Sequence, residues 1–410
     1  MPKKRLRVAL DARMLGEERV GIGNYIVNLV NAFGRTRDLG FHLDVLVQDG
    51  APAGCINESE AVRLLRLPPM SNWRRLMHQL LSSAKLLGDR YDVVHFPDYP
   101  VALGRLSAKL IVTIPDASVF KPSKFYTLRK YLPKRLLYPI AAARADAVIT
   151  YSDSSRRDLE EHLPALRLHQ KISVIPLGPP SHFEDRALLS AERVERVRAR
   201  YGLRSPFILF VGTIEPRKNL RGLLEAFAAI CLRVPHELVI VGPRGWGSEY
   251  TYVREKSRRL GSRVRFLEYV PDEDLPAIYR LSTLLAYPSF CEGFGLPVVE
   301  AFSAGTAVLT SSTSSMAEIG SGAAVLVDPS SRSELVDGLL RVCTDERFRA
   351  ELVDRGHNRV RQYSWERCAL ETASVYLDRK HIANRWNGAT ARPDQPNGLP
   401  APAIQPENVV

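Results

Sequence analysis

The sequence predicts an α/β protein built from two parallel-sheet units, and three observations carry that prediction. Short apolar runs alternate with longer amphipathic segments along nearly the whole chain, the pattern that covers parallel sheets with helices on both faces. The 410 residues are 45% hydrophobic and 25% charged, enough for two separate cores. Pro179-Pro180, followed by a polar, charge-rich stretch, interrupts the alternation near its middle.

In the first half the apolar runs Leu6 to Asp11, Leu43 to Gln48, Val62 to Leu67, Asp92 to Phe96, Leu110 to Ile114, Ala147 to Tyr151 and Ile172 to Leu177 read as strands. Helices are expected at Gly23 to Thr36, Asn72 to Leu87, the basic stretch after Lys121, and Ser154 to His162. A charged helix follows at about Ala187 to Tyr201. The second half repeats the scheme with strands Phe207 to Val211, Glu237 to Val241, Val264 to Tyr269, Thr283 to Ser289, Ala307 to Ser311 and Ala324 to Val327. Its helices are Asn219 to Cys231, Tyr250 to Leu260, Asp272 to Leu281, the segment after Leu296, Arg332 to Cys343 and Glu346 to Gln362. The division is then a Rossmann-like unit at residues 1–180, a linker at 181–204 and a second such unit at 205–363. A last helix at 364–383 is placed to pack back across the junction, and the proline-rich tail 384–410 is expected to be disordered. Two such units facing each other enclose a cleft that can hold one substrate on each wall.

No apolar run reaches the roughly 20 residues that span a bilayer, and Met1-Pro2-Lys3-Lys4-Arg5 leads into a strand rather than a signal sequence. A cytoplasmic location is expected, with room for peripheral attachment to the inner membrane face. The five cysteines have no paired spacing, so they suggest neither a disulfide framework nor a zinc site. The formal charge of +12 calls for an anionic partner. No helix-turn-helix or stacking signature points to nucleic acid. From Lys121 to Arg144 seven cations occur without one acid, interleaved with leucines and aromatics. Such a segment suits an anionic membrane surface, and equally a surface helix that packs its apolar face on its own domain; the two can hold together.

The chemistry concentrates after the strand at 283–289, in Cys291-Glu292-Gly293-Phe294-Gly295-Leu296-Pro297-Val298-Val299-Glu300. A glycine-rich turn running into a helix lets backbone N–H groups approach an anion at the positive end of the helix. A diphosphate fits there, with Glu292 at the turn and Glu300 about one turn into the helix. An ordinary strand-turn-helix corner is the plain alternative, and the strand-helix-strand setting favours a ligand. Gly212-Thr213-Ile214-Glu215-Pro216-Arg217-Lys218-Asn219 ends another strand and brings two cations to the same sheet edge, where they suit a diphosphate clamp. Gly21 and Gly23 open the first helix and could reach the same phosphates from the other unit. Asp272-Glu273-Asp274 reads as helix capping rather than a metal motif. His95, Asp98 and Asp116 end first-unit strands and are expected to face the cleft as acceptor contacts, capping or core-edge roles remaining open for His95.

Taken together, these residues resemble the retaining glycosyltransferases of family 4, over about Leu6 to Leu377. The resemblance rests on Asp11-Ala12-Arg13 with Gly21-Ile22-Gly23, on Gly212 to Asn219, on the Glu-x7-Glu pair Glu292 and Glu300, and on Ser314 to Gly320 leading to Val327-Asp328-Pro329. It implies the GT-B fold of two facing Rossmann-like domains and sugar transfer from a nucleotide donor with retained configuration, without a metal. By the same resemblance Glu300 would bind the ribose, Glu292 the donor sugar, and the Phe294, Gly295 and Leu296 amides the sugar and phosphate. Arg217, Lys218 and Gly23 would meet the diphosphate, with Gly212 beside them. The pattern is similar to bacterial mannosyltransferases of surface polysaccharide assembly, which implies GDP-mannose as donor and a lipid-linked or polysaccharide acceptor. Four positions depart: Pro115 stands where many members have a histidine facing the donor sugar, Thr213 where some have arginine, and Met316-Ala317 where Leu-Pro is usual. A sugar-nucleotide epimerase or phosphorylase on the same fold, and an inactive basic scaffold, are the alternatives.

Overall fold

The computed structural model describes residues 5–15, 21–37, 39–50, 56–121, 125 and 128–378. The first sheet contains β1 (Leu6–Asp11), β2 (Phe41–Gln48), β3 (Val62–Leu67), β4 (Val93–Phe96), β5 (Lys109–Thr113), β6 (Ala147–Thr150) and β7 (Ile172–Val174) in the order β3-β2-β1-β4-β5-β6-β7. The second contains β8 (Phe207–Val211), β9 (Glu237–Val241), β10 (Val264–Glu268), β11 (Leu284–Tyr287), β12 (Ala307–Ser311) and β13 (Val325–Val327) in the order β10-β9-β8-β11-β12-β13. The pairings at the centre of both sheets are parallel. Central strands such as Phe-Ile-Leu-Phe-Val of β8 are apolar on both faces because helices cover both.

The strand order reverses between β1 and β4 and again between β8 and β11. Ligands bind beyond the carboxyl ends of strands at such reversals. Asp11 to Arg13 and Asp98 follow the first pair; Gly212 to Asn219 and Ser289 to Gly295 follow the second.

One boundary differs from the sequence reading. Helix Ala191–Tyr201, expected in a linker, is fastened to the second unit by Asp274, which takes Arg193 at 2.5 Å, Arg200 at 3.0 Å and the Tyr201 hydroxyl at 2.9 Å. This also corrects the capping role of Asp274: it precedes helix Leu275–Leu281, but its side chain makes no cap bond because the buried carboxylate is committed to those three donors. Helix Trp365–Tyr376 does return to the first unit, where Tyr376 packs against Phe33 and Phe41 and Arg35 meets Glu366 at 3.3 Å. Leu377 and Asp378 follow it as a turn, and the remainder of the expected helix from 379 and the tail 384–410 lie outside the described residues.

The segment 72–87 is helical throughout but carries a π turn, His78–Ser82, between Asn72–Met77 and Ser83–Leu87. Buried Arg13 reaches into it, with Nη1 2.6 Å from His78 Nδ1 and Nη2 donating to Ser83 Oγ at 2.7 Å. The basic segment forms helix Leu128–Arg144. Tyr138 points inward, whereas Leu132, Leu136 and Ile140, spaced by four, are 47%, 58% and 41% exposed. Several of its cations are taken up by the protein itself: Lys121 pairs with Asp158 at 2.7 Å, and Arg144 donates to the Ala102 and Gly104 carbonyls. Lys124, and the side chains of Arg129 and Lys130, lie outside the described residues. Among the described residues no helix is long and apolar enough to cross a membrane. Cys231, Cys291, Cys343 and Cys368 are buried and unpaired.

Candidate active site

Past β8 the chain turns through Pro216–Lys218, with Asn219 in the left-handed region at φ 55°. Asn219 holds this turn by accepting from Gly222 N at 3.3 Å and donating to the Pro329 carbonyl at 2.7 Å. Arg217 and Lys218 thereby leave one tight turn together, and Phe290 N bonds the Arg217 carbonyl at 2.9 Å, joining the loops after β8 and β11. Gly212 leaves the space that the Lys218 ammonium fills.

Glu292 sits between these cations. Arg217 Nη1 bonds its carboxylate and the Cys291 carbonyl, while Lys218 Nζ lies 3.7 Å from Glu292 Oε1 and donates to Tyr287 Oη at 2.6 Å. Tyr287 and Ser289 donate to the same Oε1 at 2.8 and 3.2 Å. Burial alone would raise the Glu292 carboxyl, but the charges of Arg217 and Lys218, with bonds from Arg217 and Tyr287, hold it at about 2. Glu215, on the far side of Arg217 at 2.7 Å, goes the other way: burial raises it despite both cations, and Glu292 adds to the rise. Arg217 is thus shared between two carboxylates, and Lys218 is the less neutralised of the two cations.

Gly295 precedes helix Leu296–Ala304 at φ 104°, and a Cβ there would lie 2.0 Å from the Met316 methyl, so only glycine makes this turn. No side chain caps the helix; Pro297 has no N–H and Val298 N bonds the Gly295 carbonyl at 2.9 Å, so a ligand at the helix start would meet the Leu296 N–H. Phe294 turns its ring into the core against Tyr363, 5.6 Å away, so its contribution to a ligand is its backbone. Leu296 and Glu300 are half-buried. Glu300 accepts from Tyr279 Oη at 2.7 Å, and burial lifts its carboxyl to about 7, the Tyr279 bond opposing and Asp272 reinforcing.

In the first unit Asp116 lies at the cleft, its Cβ 3.2 Å from a Cβ placed on Gly293, and its carboxylate accepts from Ser118 N at 2.8 Å. His95 and Asp98 do not face the cleft. His95 is fully buried between Tyr376 Oη and Thr113 Oγ1, both at 2.7 Å, and burial drives its ring down to about 3. Asp98, also buried, accepts from Tyr138 at 3.1 Å and lies 3.5 Å from Lys134. Both are core-edge residues. Gly21 stands exposed ahead of helix Ile22–Arg35, with Gly23 in the first turn. Sequence reasoning missed how Tyr287, Ser289 and Glu215 surround the cation pair, and that Arg13 forks onto Asp11 at 2.6 and 2.9 Å; Asp-x-Arg directly after a strand was the available signal for the fork. Among the described residues no group of three or more His, Cys, Asp or Glu is arranged to hold a metal.

Residues 20–179 match the family described as Glycosyltransferase Family 4, and residues 194–359 match Glycosyl transferases group 1. The chain is 30% identical over 375 residues to the O-antigen chain mannosyltransferase B of Escherichia coli, covering 87% of this chain and 95% of that protein. Over 185 residues it is 33% identical to the serotype-specific mannosyltransferase WbdA of Escherichia coli, 43% of this chain and only 22% of that longer protein. Among solved structures, sucrose-phosphate synthase of Thermosynechococcus elongatus superimposes with a TM-score of 0.72 at 21% identity, over 91% of this chain and 99% of that one. HepE of Anabaena, determined with UDP and glucose, gives 0.70 at 16% identity over 92% and 100%. The structures establish the fold, the full-length mannosyltransferase relative establishes the kinship, and the chain belongs to the GT-B glycosyltransferases, with a family 4 first unit and a group 1 second unit.

Proposed function

We propose that this glycosyltransferase moves mannose from GDP-mannose, with retained configuration, to a lipid-linked or polysaccharide acceptor in cell-surface glycan synthesis. The observation that supports it most is the meeting of the Arg217-Lys218 turn with the Glu292 to Gly295 turn at the β8/β11 reversal. In this reading the bond from the sugar C1 to the phosphate oxygen breaks as the acceptor oxygen bonds C1 on the same face, and the acceptor proton passes to the leaving phosphate. Lys218, Arg217 and the N-terminus of helix Leu296–Ala304 carry the charge that builds on the diphosphate, so the reading calls for no metal. Glu300 holds the ribose, Glu292 the sugar, and Asp116 faces the acceptor side. The mannosyl choice rests on the O-antigen mannosyltransferase relative.

The test is a panel of nucleotide sugars read by thermal stability. A donor at a hundred times its dissociation constant adds about 2.7 kcal/mol; GDP-mannose should do so for the wild type and not for Glu300→Ala. A shift from a different donor alone reassigns the sugar nucleotide, and no shift from any donor overturns the reading.

We also infer an anionic membrane face on the first unit. Leu132, Leu136 and Ile140 stand exposed on the helix, and Leu103 and Leu81 are exposed on the segments tied to its end, where Leu103 N bonds the Leu80 carbonyl at 2.8 Å and Arg144 holds the Ala102 and Gly104 carbonyls. Leucines standing outward on a cationic helix suit insertion between acidic headgroups. Leu136→Asp is expected to weaken co-sedimentation with phosphatidylglycerol vesicles by about tenfold while the nucleotide response is retained; equal binding by both proteins removes this face from the membrane.

A further inference from the structure

The backbone at Glu292 and Gly293 is gripped by both units. From the second unit, Glu292 N donates to Ser314 Oγ at 3.2 Å and Ser315 Oγ donates to the Glu292 carbonyl at 2.8 Å. From the first unit, Ser152 and Ser155 hydroxyls donate to the Gly293 carbonyl at 2.8 and 3.2 Å. The first unit also presses close here: a Cβ on Gly293 would lie 2.4 Å from the Pro115 carbonyl, so any side chain would hold the cleft open. Ser314 and Ser315 open the short helix Ser314–Gly320, and Glu318 of that helix reaches back to the first unit, accepting from the backbone N–H groups of Asp153 and Ser154 at 3.3 and 3.1 Å. Those N–H groups begin helix Asp153–His162, whose positive end favours a carboxylate. One rigid turn therefore touches the Glu292 backbone at its start and the opposite domain near its end.

We propose that Glu318, Ser155 and Ser152 are positioning residues that couple closure of the cleft to the placement of Glu292, with helix Ser314–Gly320 as the strut between them. When the units part, the Gly293 carbonyl loses two donors and Glu318 loses the helix end, and the backbone at Glu292 and Gly293 is then held by the second unit only. The donor site is complete only when the first unit is docked on it. None of the three side chains needs to touch substrate. The inference rests on the donor-site reading above for its consequence and on the interdomain geometry alone for its mechanism.

The test compares the full-length wild type with Glu318→Ala/Ser155→Ala and with Glu318→Gln. Ser155→Ala leaves Ser152 free to cap helix Asp153–His162 through Ser155 N, so folding should be spared. Small-angle scattering is recorded with and without GDP and UDP, and affinity for both nucleotides is measured by calorimetry. The double variant should scatter as a more open particle, bind the preferred nucleotide about tenfold more weakly, and keep its melting temperature; Glu318→Gln, which keeps an acceptor oxygen, should fall between. Scattering curves that superimpose overturn the proposal, as does a lowered melting temperature with unchanged scattering and affinity. If the wild type binds neither nucleotide the donor-site reading fails, and the scattering comparison still decides the coupling.

Discussion

Lys218→Ala is expected to lower turnover by about a hundredfold or more, roughly 3 kcal/mol in the barrier, with little change in melting temperature. The size follows from the charge arrangement. Arg217 is already divided between Glu215 and Glu292, whereas Lys218 is anchored by the Tyr287 hydroxyl at 2.6 Å and stands farther from Glu292, at 3.7 Å. A leaving diphosphate gains most from the cation least neutralised beforehand, and Arg217 cannot release a second charge to replace it. Lys218→Arg should not restore the rate, because the ammonium fits a space bounded by Gly212 and the Tyr287 ring, 5.0 Å away, which a planar fork overfills. Steady-state turnover with the donor identified from the panel measures the effect, and a rate equal to wild type takes Lys218 out of the site.

Glu300→Gln should be more stable than the wild type at pH 8 and still bind nucleotide less well. Burial raises the Glu300 carboxyl from 4.5 to about 7 in the folded protein. A raised carboxyl lends stability below its unfolded value of 4.5, and that stability is lost as pH climbs through about 7. The loss is at most roughly 3 kcal/mol, and glutamine, which cannot ionise, escapes it. Melting temperatures of the two proteins should therefore diverge as pH rises from about 5 to about 8. Nucleotide affinity carries the opposite sign: ribose hydroxyls need the carboxylate as acceptor, so wild-type affinity should rise through pH 7 while the variant stays flat. A wild type whose affinity ignores pH in that window would mean that Glu300 is ionised throughout. Glu292, held at about 2 by its cations, has no transition in the same range.

The strands were legible because each is a compact apolar run: Phe207 to Val211, Glu237 to Val241 and Ala307 to Ser311 stand at the bounds the residues suggested. The π turn at His78 was not, and the residue that contacts it, Arg13, is distant in sequence. Residue type alone also placed Asp98 at the cleft and left His95 open between the cleft and the core edge. A polar residue at the end of a strand looks the same in sequence whether it meets a cleft or a tyrosine from a helix nearly three hundred positions later, and here Tyr376 decides for the core. Asp274 failed as a cap for a related reason, its partners Arg193 and Arg200 coming from a helix assigned to a linker. The Glu292 to Glu300 turn could be picked out because glycines and carboxylates at a strand-helix corner carry a local meaning; the serines that brace it from two domains carry none until folded.

The bond between His95 and Tyr376 has a consequence for synthesis on the ribosome. Tyr25, Thr113 and His95 form a buried polar chain in the first unit, and its last member arrives only with helix Trp365–Tyr376. Until that helix emerges, the surface that Phe33 and Phe41 present to Tyr376 is bare, and His95 keeps Thr113 on Nε2 but lacks the Tyr376 hydroxyl on Nδ1. This patch of the N-terminal half is therefore covered only after the whole second unit has been translated, and nascent chains released before Tyr376 should be the ones that chaperones and proteases collect.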